Sequence, residues 1–537
     1  MVLFLLLSSL TIAVQGGNFS ELYRPQYHFS PRKNWLNDPN GLFRDVDGRF
    51  HMFYQYNPFG DLWGHMSWGH AVSSSDMLHW VEDKEVALME EVGEMIFSGS
   101  AVIDFNNTSG FKNTSLDVPP YVLIYTGHVY GVLGTIEQNQ NLAYSNDGGK
   151  TWLKYTEGNP VLEIPKEQNF RDPKVFWYAP TQKWVMAVSL SEEQKVLFYQ
   201  SDNLKNWTKT GEFEIAKKDA GTVWECPDLV NLIDSQSKVE KWVLMVNVNP
   251  GGFQESSGVK YFIGNFNGQT FIQEDTSRMT DFLDYGADFY AVTSFFQPNG
   301  GANPLPLIES IAWMSNWIYT QKTDYPPPPT SPWRGQMSFP RDYALKIYKG
   351  KVFATALPNT AFALNPLLSP DKTFLLTNLP TLSLANQLLS SLIQSRPTAY
   401  SSLQRLTVVF EKAPGYSASF GVDVKIGANV RTLVRMHRNC SISVDRSKSG
   451  DTLGGNPYFM ELKTAETEYD CLNEREIKIE VILDASSVEA FFFDWYSMTN
   501  LVFTESTNNG LELWTDAEFG QFSIQYARLE FLEKTML

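Results

Sequence analysis

Cysteine is nearly absent: Cys226, Cys440 and Cys471 are the whole complement in 537 residues. So few thiols exclude a disulfide-built scaffold and leave stability to a large apolar core. Cys440 and Cys471 either pair, if neighbouring strands carry them, or stay as two buried thiols, and Cys226 reads as a small packing residue. Histidine is also scarce, at seven. None stands in HExxH or in Cys/His ligand spacing, so no metal site is expected. Basic residues are outnumbered, 43 against 60 acidic for a net charge of −17, which argues against nucleic acid or anionic membrane as a partner. The apolar stretch Met1 to Gln15 is too short to span a bilayer. It reads as the h-region of a signal peptide, residues 1–17, although a basic n-region is missing. Secretion is therefore expected, with no membrane partner.

What is abundant points the same way. Asn-x-Ser/Thr acceptor sequences at Asn18, Asn106, Asn107, Asn113, Asn206 and Asn439 suit a secreted glycoprotein. Aromatic residues make up 14% of the chain, with 15 Trp; beyond their use in cores, such rings are platforms for the faces of sugars.

Helical periodicity is rare, whereas short β-branched and aromatic runs bounded by Gly, Asn, Asp and Pro recur, which predicts an all-β protein. A strand–polar turn–aromatic unit repeats four times. It runs from His70 through Asp76 to Trp80, from Leu142 through Asp147 to Trp152, from Phe198 through Asp202 to Trp207, and from Tyr261 to Phe271. A spacing of roughly 55 to 70 residues is what four-stranded propeller blades would produce. The repeat ends near residue 355. A connector over 356–393 follows, with a short helix near Ala385 to Ile393. Alternating runs such as Leu406–Phe410 and Ile477–Leu483 then predict a second β domain over 394–537, most simply a sandwich.

Three acids stand apart from the rest. Asp38 lies in Asn34-Trp-Leu-Asn-Asp-Pro-Asn-Gly41, Asp172 in Asn169-Phe-Arg-Asp-Pro173, and Glu225 in Trp224-Glu-Cys-Pro-Asp228. Each is followed within two residues by Pro and lies within three residues of an aromatic residue. Retaining cleavage of a glycosidic bond needs one ionised carboxylate as nucleophile and one protonated carboxyl as acid, about 5 to 5.5 Å apart. Asp38, with Asn37 beside it, is the expected ionised group, kept so by neighbouring amides. Glu225, between Trp224 and Cys226, is expected in an apolar niche that raises its pKa. Asp172 is expected to be held charged by Arg171.

The segments NWLNDPNG, FYQYNP, WGHMSWGHA, FSGS, FRDPKVF, WECPDL and WMSNW, in this order, resemble glycoside hydrolase family 32, the β-fructofuranosidases, from about Tyr23 onward. The resemblance implies a five-bladed β-propeller over 21–355, a C-terminal β-sandwich, and retaining hydrolysis of sucrose, inulin or levan without a cofactor. Residue by residue it makes Asp38 the nucleophile, Glu225 the acid/base and Asp172 the transition-state stabiliser beside Arg171. It places Asn37, Gln55, Trp63, Phe97, Ser98 and Trp313 in the fructose pocket. Leu36 replaces the usual Met, a volume-conserving change, and Asp at position 38 speaks against the endo-acting inulinases. A fructosyltransferase and a non-catalytic fructan-binding lectin are the competing readings, and oligomeric state is left open.

Overall fold

The computed structural model of the chain describes residues 19–535 except 132–133, 217, 219–220, 276–280, 299–303, 322–329, 362–371, 397–401 and 519. The expected signal peptide and the sequon at Asn18 lie outside the described residues. Among the others, the chain is all-β apart from a few short helices.

Five sheets follow one another along residues 34–358, each a four-stranded antiparallel meander with at most one short extra strand. Their first strands are β1 (Asn34–Arg44), β2 (Glu94–Ile103), β3 (Phe170–Tyr178), β4 (Val223–Ile233) and β5 (Tyr290–Ser294). β1 contacts β2, β2 contacts β3, β3 contacts β4, β4 contacts β5, and β5 returns to β1. Apolar side chains fill each seam. Ile124 and Met186 lie in one shared cluster, Phe198 and Trp224 in the next, Leu232 and Ile308 in a third, and Trp35 and Ile311 where the fifth sheet meets the first. That last seam is also hydrogen-bonded, because Trp333–Arg334 runs parallel to Asn34–Trp35. Gly335 permits the approach: its φ is +93°, and a Cβ there would lie 2.0 Å from the Leu36 carbonyl oxygen.

The repeated unit of the sequence is the turn from the third to the fourth strand of a sheet. Asp76 Oδ1 accepts the N–H groups of Leu78 and His79 at 2.9 and 2.8 Å, and Trp80 Nε1 donates back to the Met77 carbonyl at 2.6 Å. Asn203 and Trp207 repeat this arrangement in the third sheet. In these two turns a short polar side chain and an indole together close the loop.

Two further sheets share one core. Strands Thr373–Leu379, Phe522–Phe531, Gln404–Lys412, Glu476–Asp484, Ser487–Phe492 and Tyr496–Leu501 form the first in that spatial order; the second contains five strands between Phe420 and Thr515. Leu406, Val408 and Phe410 alternate inward against Val422 and Val424. The stretch expected to be a connector holds an edge strand, Thr373–Leu379, and the helix Leu382–Gln394. Thr381 caps the helix, and its Ala385, Leu389 and Ile393, spaced one turn apart, are buried in the same core. Cys440 and Cys471 form a disulfide with Cα atoms 5.5 Å apart, so the pairing alternative holds.

Charged groups are buried where these sheets meet the first five. His28 lies between Asp484 (2.8 Å) and Glu489 (2.6 Å), and Arg341 donates to Glu489 and, at 2.9 Å, to Asp284. Burial alone would lower His28, but hydrogen bonds to both carboxylates outweigh it and raise it from 6.5 to about 9. A raised histidine contributes stability that is complete below its unfolded value and lost as pH rises through the folded one. The contribution is about 3 kcal/mol by the size of the shift. Thermal melts of the parent should therefore fall between pH 7 and pH 9.5 more steeply than those of His28→Gln, which will be the less stable of the two at pH 7. Parallel profiles would show that His28 is uncharged at the interface.

Candidate active site

Each first strand breaks its ladder near its start, and the candidate residues lie at these breaks. The register slips between Leu36 and Pro39, Phe97 and Gly99, Arg171 and Lys174, Glu225 and Asp228, and Tyr290 and Thr293. Pro39, Pro173 and Pro227 cannot donate to a ladder, so pairing fails beside each of them and a bulge re-aims the neighbouring side chain. The backbone is left-handed at Asp172 (φ +67°), Cys226 (+42°) and Ala291 (+51°), a costly conformation that the surrounding sheets impose. The acid-and-Pro spacing of the sequence accompanies three of these five bulges; those at Phe97 and Tyr290 form without Pro.

Three carboxylates converge there. Asp38 is buried; its Oδ1 accepts from Asn37 Nδ2 at 2.9 Å and its Oδ2 from Ser98 Oγ at 2.7 Å. Asp172 Oδ2 accepts the Cys226 backbone N–H at 2.9 Å, and Thr126 Oγ1 holds the Asp172 N–H at 2.9 Å. The Cys226 thiol is 3.6 Å from Oδ2 of both aspartates, so those two oxygens are no more than twice that far apart. Glu225 is partly exposed. Its Oε1 accepts from Arg171 Nε (3.1 Å) and Nη2 (2.9 Å), and its Oε2 accepts from the Tyr290 hydroxyl. Arg171 Nη1 in turn donates to Asn169 Oδ1 at 3.1 Å and Gln138 Oε1 at 3.4 Å.

Electrostatics follow from this crowding. Burial raises Asp38 most; the Ser98 and Asn37 hydrogen bonds oppose it, Glu225 adds to it, and the net is a rise from 3.8 to about 6. Asp172 is also pushed up, by burial first and by Glu225 and Asp38 against the pull of Arg171. Burial drives the Cys226 thiol well above its ordinary value, leaving it a neutral, unreactive wall between the aspartates.

Three expectations need correction. Arg171 spends its hydrogen bonds on Glu225 rather than Asp172, because the left-handed turn at Asp172 points the two side chains apart. Trp224 does not wall Glu225: successive side chains of a strand face opposite ways, and the indole is fully buried between the third and fourth sheets. Glu225 faces Arg171 and Tyr290 instead of an apolar niche. Asp38 does receive an amide donor from Asn37, yet burial and Glu225 outweigh it.

The other predicted residues are near. Asn37 and Ser98 hold Asp38. Trp63, 37% exposed, meets Phe97 edge-on at 6.0 Å, and Phe97 stacks on His128 at 4.4 Å. Gln55 is buried, and its amide nitrogen has no hydrogen-bond partner. Trp313 is fully buried against Trp35, Trp317 and Tyr290. Tyr290, Gln138 and Asn169 were missed; Tyr290 carries no local signal, as its strand is short and its partner is 65 residues away. Of the described acceptor sequences, Asn106, Asn206 and Asn439 are exposed, and Asn107 and Asn113 are half-buried. No cluster of three or more His, Cys, Asp or Glu suited to a metal occurs among the described residues.

Comparison with known proteins identifies the family. Residues 28–355 match the glycosyl hydrolases family 32 N-terminal domain and residues 378–530 the family 32 C-terminal domain. Levanase of Bacillus subtilis (strain 168) is 39% identical over 525 residues, 96% of this chain and 72% of that protein. The extracellular exo-inulinase of Aspergillus awamori is 37% identical over 88% of each chain. A crystal structure of exo-inulinase from Aspergillus awamori superimposes with a TM-score of 0.80 at 33% identity, covering 96% of this chain and 100% of that one. β-Fructofuranosidase from Schwanniomyces occidentalis, complexed with fructosyl-erythritol, gives 0.79 at 29% identity, covering 96% and 99%. Matched along both of its parts, the chain belongs to glycoside hydrolase family 32.

Proposed function

We propose that this enzyme releases terminal, non-reducing β-D-fructofuranosyl units from sucrose and from inulin- or levan-type fructans by two displacements with net retention. The chain is a β-fructofuranosidase, a glycosidase acting on fructosides. One observation carries the mechanism: a buried Asp38 oriented by Asn37 and Ser98 faces a Glu225 held by Arg171 and Tyr290.

In this reading Asp38 attacks the anomeric carbon while Glu225 protonates the departing oxygen, and Glu225 then draws a proton from water for the second displacement. The groups are coupled. Once Glu225 carries its proton, its charge no longer opposes ionisation of Asp38, so the acid form of one favours the nucleophilic form of the other. Asp172, fastened by the Cys226 N–H, suits hydrogen bonding to ring hydroxyls. The unpartnered Gln55 amide suits another. Trp63 and Phe97 offer ring faces at the entrance, with Trp313 supporting the floor from beneath.

We infer also that the five sheets are the blades of one five-bladed propeller over 21–355 and the last two sheets a sandwich over 394–537. The cyclic contact of β1 to β5 supports the first and the shared core the second. The pairing of strand Thr373–Leu379 with Phe522–Phe531 supports extending the sandwich back into the end of the 356–393 connector. Secretion is part of the proposal, supported by relatives named as extracellular.

The test is the product. Sucrose at high concentration should give free glucose and fructose in near-equal amounts, and fast NMR should show β-fructofuranose first. Kestoses as the main product would make the chain a transferase, and α-anomer first would mean inversion.

A further inference from the structure

Among the described residues, the outer face of the six-stranded C-terminal sheet is covered only in part. Towards one edge, Ile482 and Phe491 pack on Tyr27, Leu78 and Phe339 of the first unit. Towards the other edge, a groove of about 710 Å³ opens over strands Thr373–Leu379, Phe522–Phe531, Gln404–Lys412 and Glu476–Asp484, within the range of ligand sites. Cross-strand pairing of Leu375 with Arg528 and of Thr377 with Tyr526 forms its floor.

The charges in this groove are already matched. Arg405 donates to Glu480 and to Glu530, each at 2.8 Å; Arg528 meets Glu530 at 2.6 Å; and Lys478 meets Asp494 at 2.6 Å. Matched charges draw neither a counter-ion nor a polyanion. What remains is a dense set of N–H and hydroxyl donors beside carboxylate oxygens, which complements a neutral polyol. Leu375, 61% exposed, and the half-buried Tyr526 ring supply apolar contact for the C–H face of a sugar.

We propose that this groove is an accessory site for the fructan chain, separate from the pocket around Asp38. The inference rests on the reading that the enzyme acts on fructans. A polymer held at two places presents its chain ends to the catalytic pocket at raised effective concentration, whereas sucrose gains nothing from it.

The experiment uses the full chain with Asp38→Asn, which binds without turnover, run by affinity electrophoresis through soluble levan or inulin. Saturating sucrose fills the catalytic pocket. Retardation should persist in sucrose and weaken at least about tenfold with Tyr526→Ala, and likewise with Thr377→Trp, which fills the groove. In the active chain both substitutions should raise KM for the polymer while leaving kcat and sucrose kinetics unchanged, which also shows that the fold is intact. Retardation abolished by sucrose, or equal in the groove variants, overturns the proposal, as does sedimentation showing that a second copy of the chain occupies this face. Sucrose-resistant binding without any fructan hydrolysis would leave the site standing and sink the activity reading; hydrolysis without such binding would do the reverse.

Discussion

Asp38→Ala will lower sucrose hydrolysis by about four orders of magnitude or more, the scale on which loss of a covalent nucleophile acts. The fold will survive, because the side chain contributes to the pocket and not to an apolar cluster. Asp38→Asn separates chemistry from stability. In the native protein Asp38 titrates near 6, above its ordinary 3.8, chiefly through burial. A raised carboxylate adds nothing unfavourable while it is protonated in both states; the fold then loses stability as pH rises through the folded value. Asp38→Asn should therefore melt above the parent at pH 7.5, by up to about 3 kcal/mol in stability, and level with it at pH 3.5. Hydrolysis retained at a tenth of the parent rate would sink the nucleophile assignment. A melting advantage that does not change with pH would show that Asp38 is not forced to ionise in the folded state.

Glu225→Gln is the second large effect. The amide keeps the size of the side chain and can still accept from Arg171, but it cannot deliver a proton to a poor leaving group. Sucrose turnover should fall by at least about 10² to 10⁴, and by more if both displacements suffer. A fructoside with a good leaving group needs no acid in the first displacement, and azide needs no base in the second. Supplied together, they should restore much of the turnover and yield a fructosyl azide. An equal deficit for good and poor leaving groups, with azide without effect, would make Glu225 a positioning residue; buried Asp228, bound to Ser294 and Lys174, would be the next acid to test.

Much of this was legible in the chain itself. The acid-and-Pro motifs marked the three carboxylates because a missing N–H forces a bulge, and a bulge is a local event that sequence can encode. Alternating runs announced strands, and the repeated polar turn closed by an aromatic residue announced four of the five sheets, with Asp and Trp in three of them and Phe271 in the fourth. The fifth was silent: its third and fourth strands, Arg341–Tyr348 and Lys351–Pro358, are joined by Lys349-Gly350 alone, leaving no room for the polar side chain and indole. A helix near 385–393 was also expected, whereas pairing of Cys440 with Cys471 was left open, because it depends on which strands become neighbours.

Tertiary structure alone decided who faces whom. Arg171 adjoins Asp172 in sequence yet binds Glu225, 54 residues away, because a left-handed residue turns the aspartate elsewhere. Tyr290, on β5, reaches the same carboxylate only because the five first strands close into a ring. His28 becomes a charged bridge only when residues more than 450 positions away supply Asp484 and Glu489. Sequence determined which residues can bend, ionise or pack, since these are properties of side chains and of a few bonds around them. Their pKa values and partners arise from desolvation and from charges brought close by folding, and these depend on distances that no local pattern contains.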